Sequence, residues 1–558
     1  MNSRSKVGLS LVLLVALIRC AGVSGAWGQT AATGQVMGTV TDPSKAAVGQ
    51  ATITVTNEAT GITRTVKSNA DGDFVVPLLT PGSYSVTVEA TGFKTQTSEN
   101  ILVQVASTAT VNIRLQLGGS AEKVVVEASE EILQTDSSAN GGTVNDKTVP
   151  ALPLSSRNYT QILDLAPGVS GSVPNAASLG KNSVDVFVNG GRIMDNSYQM
   201  DGQDAGNMET QGTGSILSIG GISIPNPDAI QEFKVQTSLY DASYGRGAGG
   251  NVNVVTKSGS DQLHGALFEF LRNDIFNAND FFLNRNGVPR PPLKQNQFGG
   301  TIGGHIIKSK LFYFGSYQGT RQINGVSSNS VATAILPGLT DDRTAAGIAK
   351  VFGGLQGSNG GTIAADGSNI NPVALKLLNL KTAGGGFLIP TPQKVTGTDS
   401  QGGSQGQSSF SIPSKFNEDQ YIANVDYAPS NKHTISEKFF YAKSPEFLAF
   451  TSSNVPGSGT NDLFKNWNGN IKDTYVIAPT LINEASIAYH RYYGRVASQN
   501  QVTNQSIGLT PGCTSAFMPI MVIGSTELSG NFNDGQFTAP TAWAAQDQVQ
   551  IFLILGIR

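Results

Sequence analysis

Charge is scarce in this chain. Only 14% of its 558 residues are Asp, Glu, Lys or Arg, and the formal net charge is −3. Lysines and arginines are dispersed, so the basic footprint that nucleic acid requires is missing. The four histidines (His264, His305, His433 and His490) lie far apart. None has an H-x-x-E or H-E-x-x-H spacing, so no metal-ligand set is legible. Cysteine is limited to Cys20 and Cys513. Loss of the N-terminal segment would leave Cys513 alone and exclude an intramolecular disulfide. Beyond that segment no apolar run approaches the ~20 residues of a transmembrane helix. No catalytic constellation and no cofactor motif in its proper context is present, so an enzyme is not expected. What is abundant is glycine, at 65 residues, with Asn, Gln, Ser and Thr filling the polar positions. This texture favours an extracytoplasmic, mainly β protein.

Arg4 and Lys6 precede the apolar run Val7–Ile18, and Ser24-Gly-Ala26 supplies small residues for cleavage. Residues 1–26 therefore read as a cleaved signal peptide. Residues 34–117 break into short strands separated by turns at Asn69–Gly72 and Thr80–Gly82. Tyr84, Val86 and Val88 alternate with Ser85, Thr87 and Glu89, and seven or so such strands predict a β-sandwich. Asn69, Asp71 and Asp73 do not match an EF-type calcium loop, and a plain turn is expected.

Glu122-Lys123-Val124-Val125-Val126-Glu127-Ala128 follows, ahead of a polar linker over 129–147. Three valines between charges suit either of two roles. The segment is a strand offered to another protein's sheet edge, or it is the last strand of the sandwich. Residues 148–259 predict a small α/β domain. It holds an amphipathic helix with Tyr159, Ile162, Leu163 and Ala166 on one face, a serine cap before it and a stop at Pro167-Gly168. A second short helix opens at Pro227. From 260 to 558 the chain is β again. Tyr421, Ala423, Val425 and Tyr427 oppose Gln420, Asn424 and Asp426, while Leu481, Ala485, Ile487 and Tyr489 oppose Glu484, Ser486 and His490. Strands of ~10 residues with one apolar face and short turns predict an antiparallel transmembrane β-barrel. Leu311–Phe314 and Tyr492-Tyr493 are expected in its interfacial girdles, and residues 322–415 as long loops with little periodicity.

Gly245-Arg-Gly-Ala-Gly-Gly250 fits G-x-G-x-x-G. The fingerprint needs a strand before it and a helix after it. Here Asn251–Thr256 follows with period two, which is a strand. Nucleotide binding is not supported, and the glycines are expected to give a side-chain-free passage where the last strand of this domain meets the barrel wall.

Gly38 to Phe93, with GxVxD, AxIxVxNxxTG and SNADGDFxxxxLxPGSYxVxVxAxGF, resembles a carboxypeptidase regulatory-like domain, a transthyretin-like sandwich. EFKVQTSLYDASYGRGAGGNVNVVTKSGSDQLHGALFEFLRND (232–274) resembles the plug-to-barrel junction of a TonB-dependent outer-membrane receptor. LPLSSRNYTQILDLAPGV and SYQMDGQD resemble earlier plug segments. A regulatory-like sandwich before the plug is similar to the Oar-like branch. On that resemblance 148–259 is a plug, 260–558 a partial barrel, and Glu122–Ala128 a TonB box. The implied partners are periplasmic TonB, outer-membrane lipid, and an unknown small molecule, glycan or peptide. The implied location is the outer membrane of a Gram-negative bacterium, and the implied activity is TonB-energised uptake of a scarce substrate such as a siderophore, oligosaccharide or peptide. The alternative is a surface or periplasmic carbohydrate-binding or adhesion protein using the sandwich. Large barrels of this kind use about 22 strands. Only about eight are legible after residue 260, so an incomplete barrel and an N-terminal portion of a longer receptor are expected.

Overall fold

The computed structural model describes residues 32–551 apart from 119–122, 128–139, 147, 153, 155, 172–177, 182–185, 207–222, 241–246, 280, 282, 283, 285–288, 358, 359, 452, 479, 480, 500, 501, 509–520, 524, 525 and 529–536. The expected signal peptide and most of the expected linker therefore lie outside the described residues. The fold is mainly β, in three parts.

The first is the sandwich. Its strands are β1 (Gly34–Thr41), β2 (Thr52–Asn57), β3 (Thr63–Lys67), β4 (Asp73–Leu79), β5 (Gly82–Glu89), β6 (Thr95–Val103), β7 (Thr108–Thr110) and β8 (Ile113–Arg114). A ninth, β9 (Lys123–Glu127), joins them. One sheet runs β4-β1-β7 with β8 also on β1; the other runs β3-β2-β5-β6-β9. Strict alternation drives Val36, Val40, Ile53, Val55, Phe74, Val86 and Val88 into one core between them. Asn69 Oδ1 accepts from the backbone N–H groups of Asp71 and Asp73 at 3.0 and 2.8 Å, which makes this stretch a side-chain-closed turn.

The second part is the small domain for which the resemblance implies a plug. It comprises β10 (Asn140–Asn145), β11 (Val169–Gly171), β12 (Val186–Val188), β13 (Ser197–Met200), β14 (Gln203–Asp204), β15 (Ile230–Ser238) and β16 (Asn251–Thr256). The main sheet has the order β10-β15-β16-β13-β14. Its edge strand is therefore Asn140–Asn145, so this part of the expected 129–147 linker belongs to the sheet; alternation there is weak because two glycines fall in the strand. One sheet face buries Phe233, Val235, Val252 and Val254 against Tyr159 and Leu163. The expected helix is a 3₁₀ segment, Tyr159–Leu165, and its cap is Asn158 rather than a serine: Asn158 Oδ1 accepts from Thr160 N at 3.0 Å. The helix expected at Pro227 is one 3₁₀ turn, Pro227–Ala229, running straight into β15.

The third part is an open antiparallel wall. It is built from β17 (His264–Asn273), β18 (Leu293–Ile307), β19 (Leu311–Asn324), β23 (Ser414–Ser430), β24 (His433–Leu448), β25 (Thr460–Ala478), β26 (Leu481–Ser498), β29 (Phe537–Thr538) and β30 (Thr541–Ile551). Its order is β17-β18-β19-β23-β24-β25-β26-β29, with β30 also on β26, and it does not close. Strands reach 19 residues in β25, nearly twice the expected length, because they continue past the apolar band. Residues 322–415 are not structureless. β20 (Val331–Pro337), β21 (Lys394–Thr398) and β22 (Ser404–Ser411) form a sheet there, beside helices Ala345–Phe352 and Pro372–Leu378. Leu336, Ile348, Leu377 and Ile389 share a core with Val455 and Ile507 from two further connections. A short β27–β28 hairpin (Met521–Ile523, Thr526–Leu528) completes the described strands.

The sandwich sits at the short-turn end of the wall. Asp261 N donates to Ala59 O at 2.8 Å, and the Asp261 carboxylate accepts from Ser309 N and Oγ, both at 2.7 Å, in the β18–β19 turn. The long connections lie at the other end.

Candidate functional site: the seat of the plug and the strand below it

Alternation divides every wall strand into an outer apolar face and an inner polar one. On β23, Tyr421, Ala423 and Val425 are exposed while Gln420, Ile422 and Asn424 are buried against the plug. On β26, Glu484, Ser486 and His490 turn inward, opposite to Ile487. The two aromatic clusters expected in the girdles are each split by the same rule: Phe312, Phe314 and Tyr492 are buried, and only their neighbours Tyr313 and Tyr493 lie on the outer parity. The outer row that exists is different. Phe298, Tyr317, Tyr421, Tyr441 and Trp467 stand on five adjacent strands, with successive ring centroids 6.2, 5.1, 6.3 and 5.3 Å apart.

The inner face holds the plug chiefly through neutral amides. Gln420 Nε2 donates to Ile224 O at 2.8 Å, Asn424 Nδ2 to Lys257 O at 2.7 Å, Asn470 Nδ2 to Asp201 O at 3.0 Å and Gln297 Nε2 to Ser156 O at 3.1 Å. Gln322 reverses the sense, accepting from Gly180 N at 2.7 Å. Plug carbonyls thus find donors that need no complementary charge. Two charged contacts are added. Arg157 pairs with Asp228, donates to Gln318 Oε1 at 2.9 Å, and lies 4.4 Å from the ring centres of Phe268 and Phe270. Lys181 Nζ is 3.0 Å from Glu418. At the plug's edge the Asp201 carboxylate accepts from Thr256 N and Oγ1 at 2.9 and 2.8 Å; burial nevertheless raises its pKa from the ordinary aspartate value.

The other face of the plug sheet meets the sandwich. Glu232 accepts from Val105 N, and Lys234 Nζ donates to Ala106 O at 2.7 Å. Val105 and Val255 pack together beside them. Burial pushes Glu232 up to about 7 and pulls Lys234 down to about 8.

The candidate TonB-box residues Lys123, Val124, Val125, Val126 and Glu127 form β9, while Glu122 and Ala128 lie outside the described residues. β9 runs parallel to β6, pairing Thr95 with Lys123 through to Glu99 with Glu127. Among the described residues its other edge has no partner strand. Of the glycine motif, residues 247–250 are described. Gly249 N donates to Asp195 O and Gly250 N to Asn196 Oδ1, both at 2.9 Å. A Cβ on Gly247 would lie 2.0 Å from Asp195 O. Ala248 interrupts the glycines, and what crowds them is the plug's own 195–196 turn at Gly247 and Gly249 and Val188 at Gly250, rather than the barrel wall. No helix follows it.

Residues 255–553 match the family described as outer membrane beta barrel domain. The chain belongs to this family. Residues 35–116 match the carboxypeptidase regulatory-like domain. TonB-dependent transporter Oar from Myxococcus xanthus is 25% identical over 311 residues, covering 52% of this chain and 28% of that protein. The chain thus spans well under half the length of this relative. Among solved structures, the outer membrane transporter YddB from Escherichia coli is 11% identical, with TM-score 0.41 over 65% of this chain and 40% of that one. A ferric enterobactin receptor from Pseudomonas aeruginosa is 13% identical, with TM-score 0.42 over 76% and 48%. The chain is thus an outer-membrane β-barrel family member with a regulatory-like sandwich ahead of its wall, and it is similar in sequence to TonB-dependent transporter Oar.

Sequence reasoning missed the amide seat. Its signal was present as Asn466-x-Asn468-x-Asn470 and Gln318-x-Thr320-x-Gln322-x-Asn324, polar residues at period two in otherwise strand-like runs. Arg157 carried no such signal.

Proposed function

We propose that this receptor serves TonB-energised uptake of a scarce substrate such as a siderophore, oligosaccharide or peptide, and that Glu122–Ala128 is the segment TonB engages. The observation that carries the reading is the position of β9. It lies at the sandwich edge with one side paired to β6, thirteen residues ahead of β10, the outermost strand of the plug sheet. A strand with an open edge can add a partner strand through backbone hydrogen bonds alone. Tension applied there reaches β10 directly, and through it the seat of neutral amides. The carbohydrate-binding alternative finds no support in the sandwich aromatics, because Phe74 and Tyr84 are buried and Phe93 packs against the same core.

Deletion of Glu122–Ala128 tests the assignment. TonB-dependent uptake is expected to be lost while insertion into the outer membrane is retained. Undiminished uptake would remove the segment from the mechanism.

A further inference from the structure

Above the seat, toward the long connections, the inner face of the wall turns acidic. The next inward position beyond Gln420 on β23 is Glu418, which accepts from Ser444 Oγ of β24 at 3.2 Å. Glu446, two residues further along β24, stands directly opposite Asp462 on β25. Like charges in that arrangement repel. Among the described residues the one cation in ion-pair range of these three carboxylates is the plug's Lys181. Its Nζ lies 3.0 Å from Glu418 Oε1 and donates to Ile224 O at 2.8 Å, leaving Glu446 and Asp462 without a counter-charge. Glu418 is 4% and Asp462 7% exposed, and Glu418 Oε2 and Asp462 Oδ1 are both buried with no hydrogen-bond partner. Buried carboxylate oxygens left without donors cost stability. Beside them Phe464, the next inward residue of β25, is half-buried and stacks on Tyr492 with ring centroids 6.4 Å apart.

We infer that Glu418, Glu446 and Asp462 form a subsite for an ammonium group of the substrate, carried on a flexible stem as in a lysine side chain. Lys181 is the precedent within the chain: it brings a primary ammonium to this face and serves one of the three carboxylates. An ammonium has three N–H donors and no acceptor, which matches carboxylate oxygens that lack donors. A cation placed between Glu446 and Asp462 turns their repulsion into two attractions, and the Phe464 ring offers an apolar surface to the stem. Among the described residues no three His, Cys, Asp or Glu side chains stand close enough to hold one metal ion. The spacing therefore suits a group with several separate donors. The inference rests on the uptake reading proposed above and narrows its substrate to a basic peptide.

The test is isothermal titration of the full chain in uncharged detergent with trilysine, with the same peptide acetylated on every amine, and with calcium chloride. Trilysine is expected to bind and the acetylated peptide to fail. Glu446→Gln with Asp462→Asn keeps both shapes and removes the two charges that lack a partner. At about tenfold per charge-assisted hydrogen bond, the pair is expected to weaken trilysine about a hundredfold. The same pair is expected to raise the melting temperature, because a repulsion kept for binding is relieved, and this separates lost charge from lost folding. Glu437→Gln, exposed on the outer face of β24 near its other end, is expected to leave the affinity unchanged. Equal binding of the acetylated peptide, calcium binding that excludes trilysine, or an unaltered affinity in the Gln/Asn pair would overturn the assignment. Because binding is read without TonB, a chain that holds trilysine but does not import it would count against the uptake reading and leave the subsite standing.

Discussion

The sandwich core and the seat of the plug are held by opposite chemistry. In the sandwich, eighteen buried apolar residues make one continuous core. Between plug and wall most of the polar contacts are made by neutral amides, beside the Arg157 and Lys181 contacts, with Met200, Ala229, Phe314, Ile422 and Phe440 among the few apolar side chains that cross. An apolar core has no substitute partner in water. A hydrogen bond exchanged for one to water loses only about 1 kcal/mol net. The first interface is therefore built to persist, and the second can be opened one bond at a time.

Substitutions separate the two. Phe74→Ala leaves a cavity in the sandwich core and is expected to cost about 4 kcal/mol in calorimetric or urea unfolding of that domain, with the wall transition unmoved. A loss of well under 1 kcal/mol would mean the sandwich is not held by its core. Arg157→Ala leaves the half-buried Asp228 without its partner, at about 3 kcal/mol, and is read as faster proteolysis of the plug. An unchanged digestion rate would place the plug's anchorage elsewhere.

The junction of sandwich and plug titrates. Glu232 is raised, so the folded state holds its proton longer than the unfolded one, and stability is lost as pH rises from about 4.5 to about 7. Lys234 is lowered, so stability is regained only as pH rises from about 8 to about 10.5. The junction is thus weakest between pH 7 and 8, by up to about 3 kcal/mol on the acid limb. Glu232→Gln is expected to flatten that limb in a pH series of melting curves. The smallest effects belong to the seat: Gln420→Ala or Asn424→Ala is expected to cost about 1 kcal/mol each in plug protection. Losses as large as that of Phe74→Ala would erase the distinction drawn above.

How much of this was legible in the sequence varied with the kind of signal. Period-two alternation at Ser83–Ala90, Asp419–Ala428 and Leu481–His490 placed the strands and their faces correctly, because one face of each is buried. The plug's helices shrank to 3₁₀ turns, since each is only a few residues long and flanked by strands that dictate its direction. The 322–415 cap was missed because its hydrophobic partners, Val455 and Ile507, are supplied by other connections far along the chain. Runs of adjacent aromatics misled, for neighbours in a strand point to opposite faces. The girdle is assembled from single aromatics on five strands, and only their register aligns them.

The wall amides hold one more consequence. Gln420 Oε1, Asn424 Oδ1 and Asn470 Oδ1 are buried without protein partners, while the nitrogens of the same groups are engaged. A carboxamide is two-handed: a half-turn of its last torsion swaps giver for taker. The backbone resting on it alternates carbonyl and N–H at every peptide unit. A plug displaced by one residue therefore meets the same wall with its polarities exchanged, and each amide can answer by turning over. Such a surface behaves less like a lock than like a bearing, satisfied at successive positions along one track.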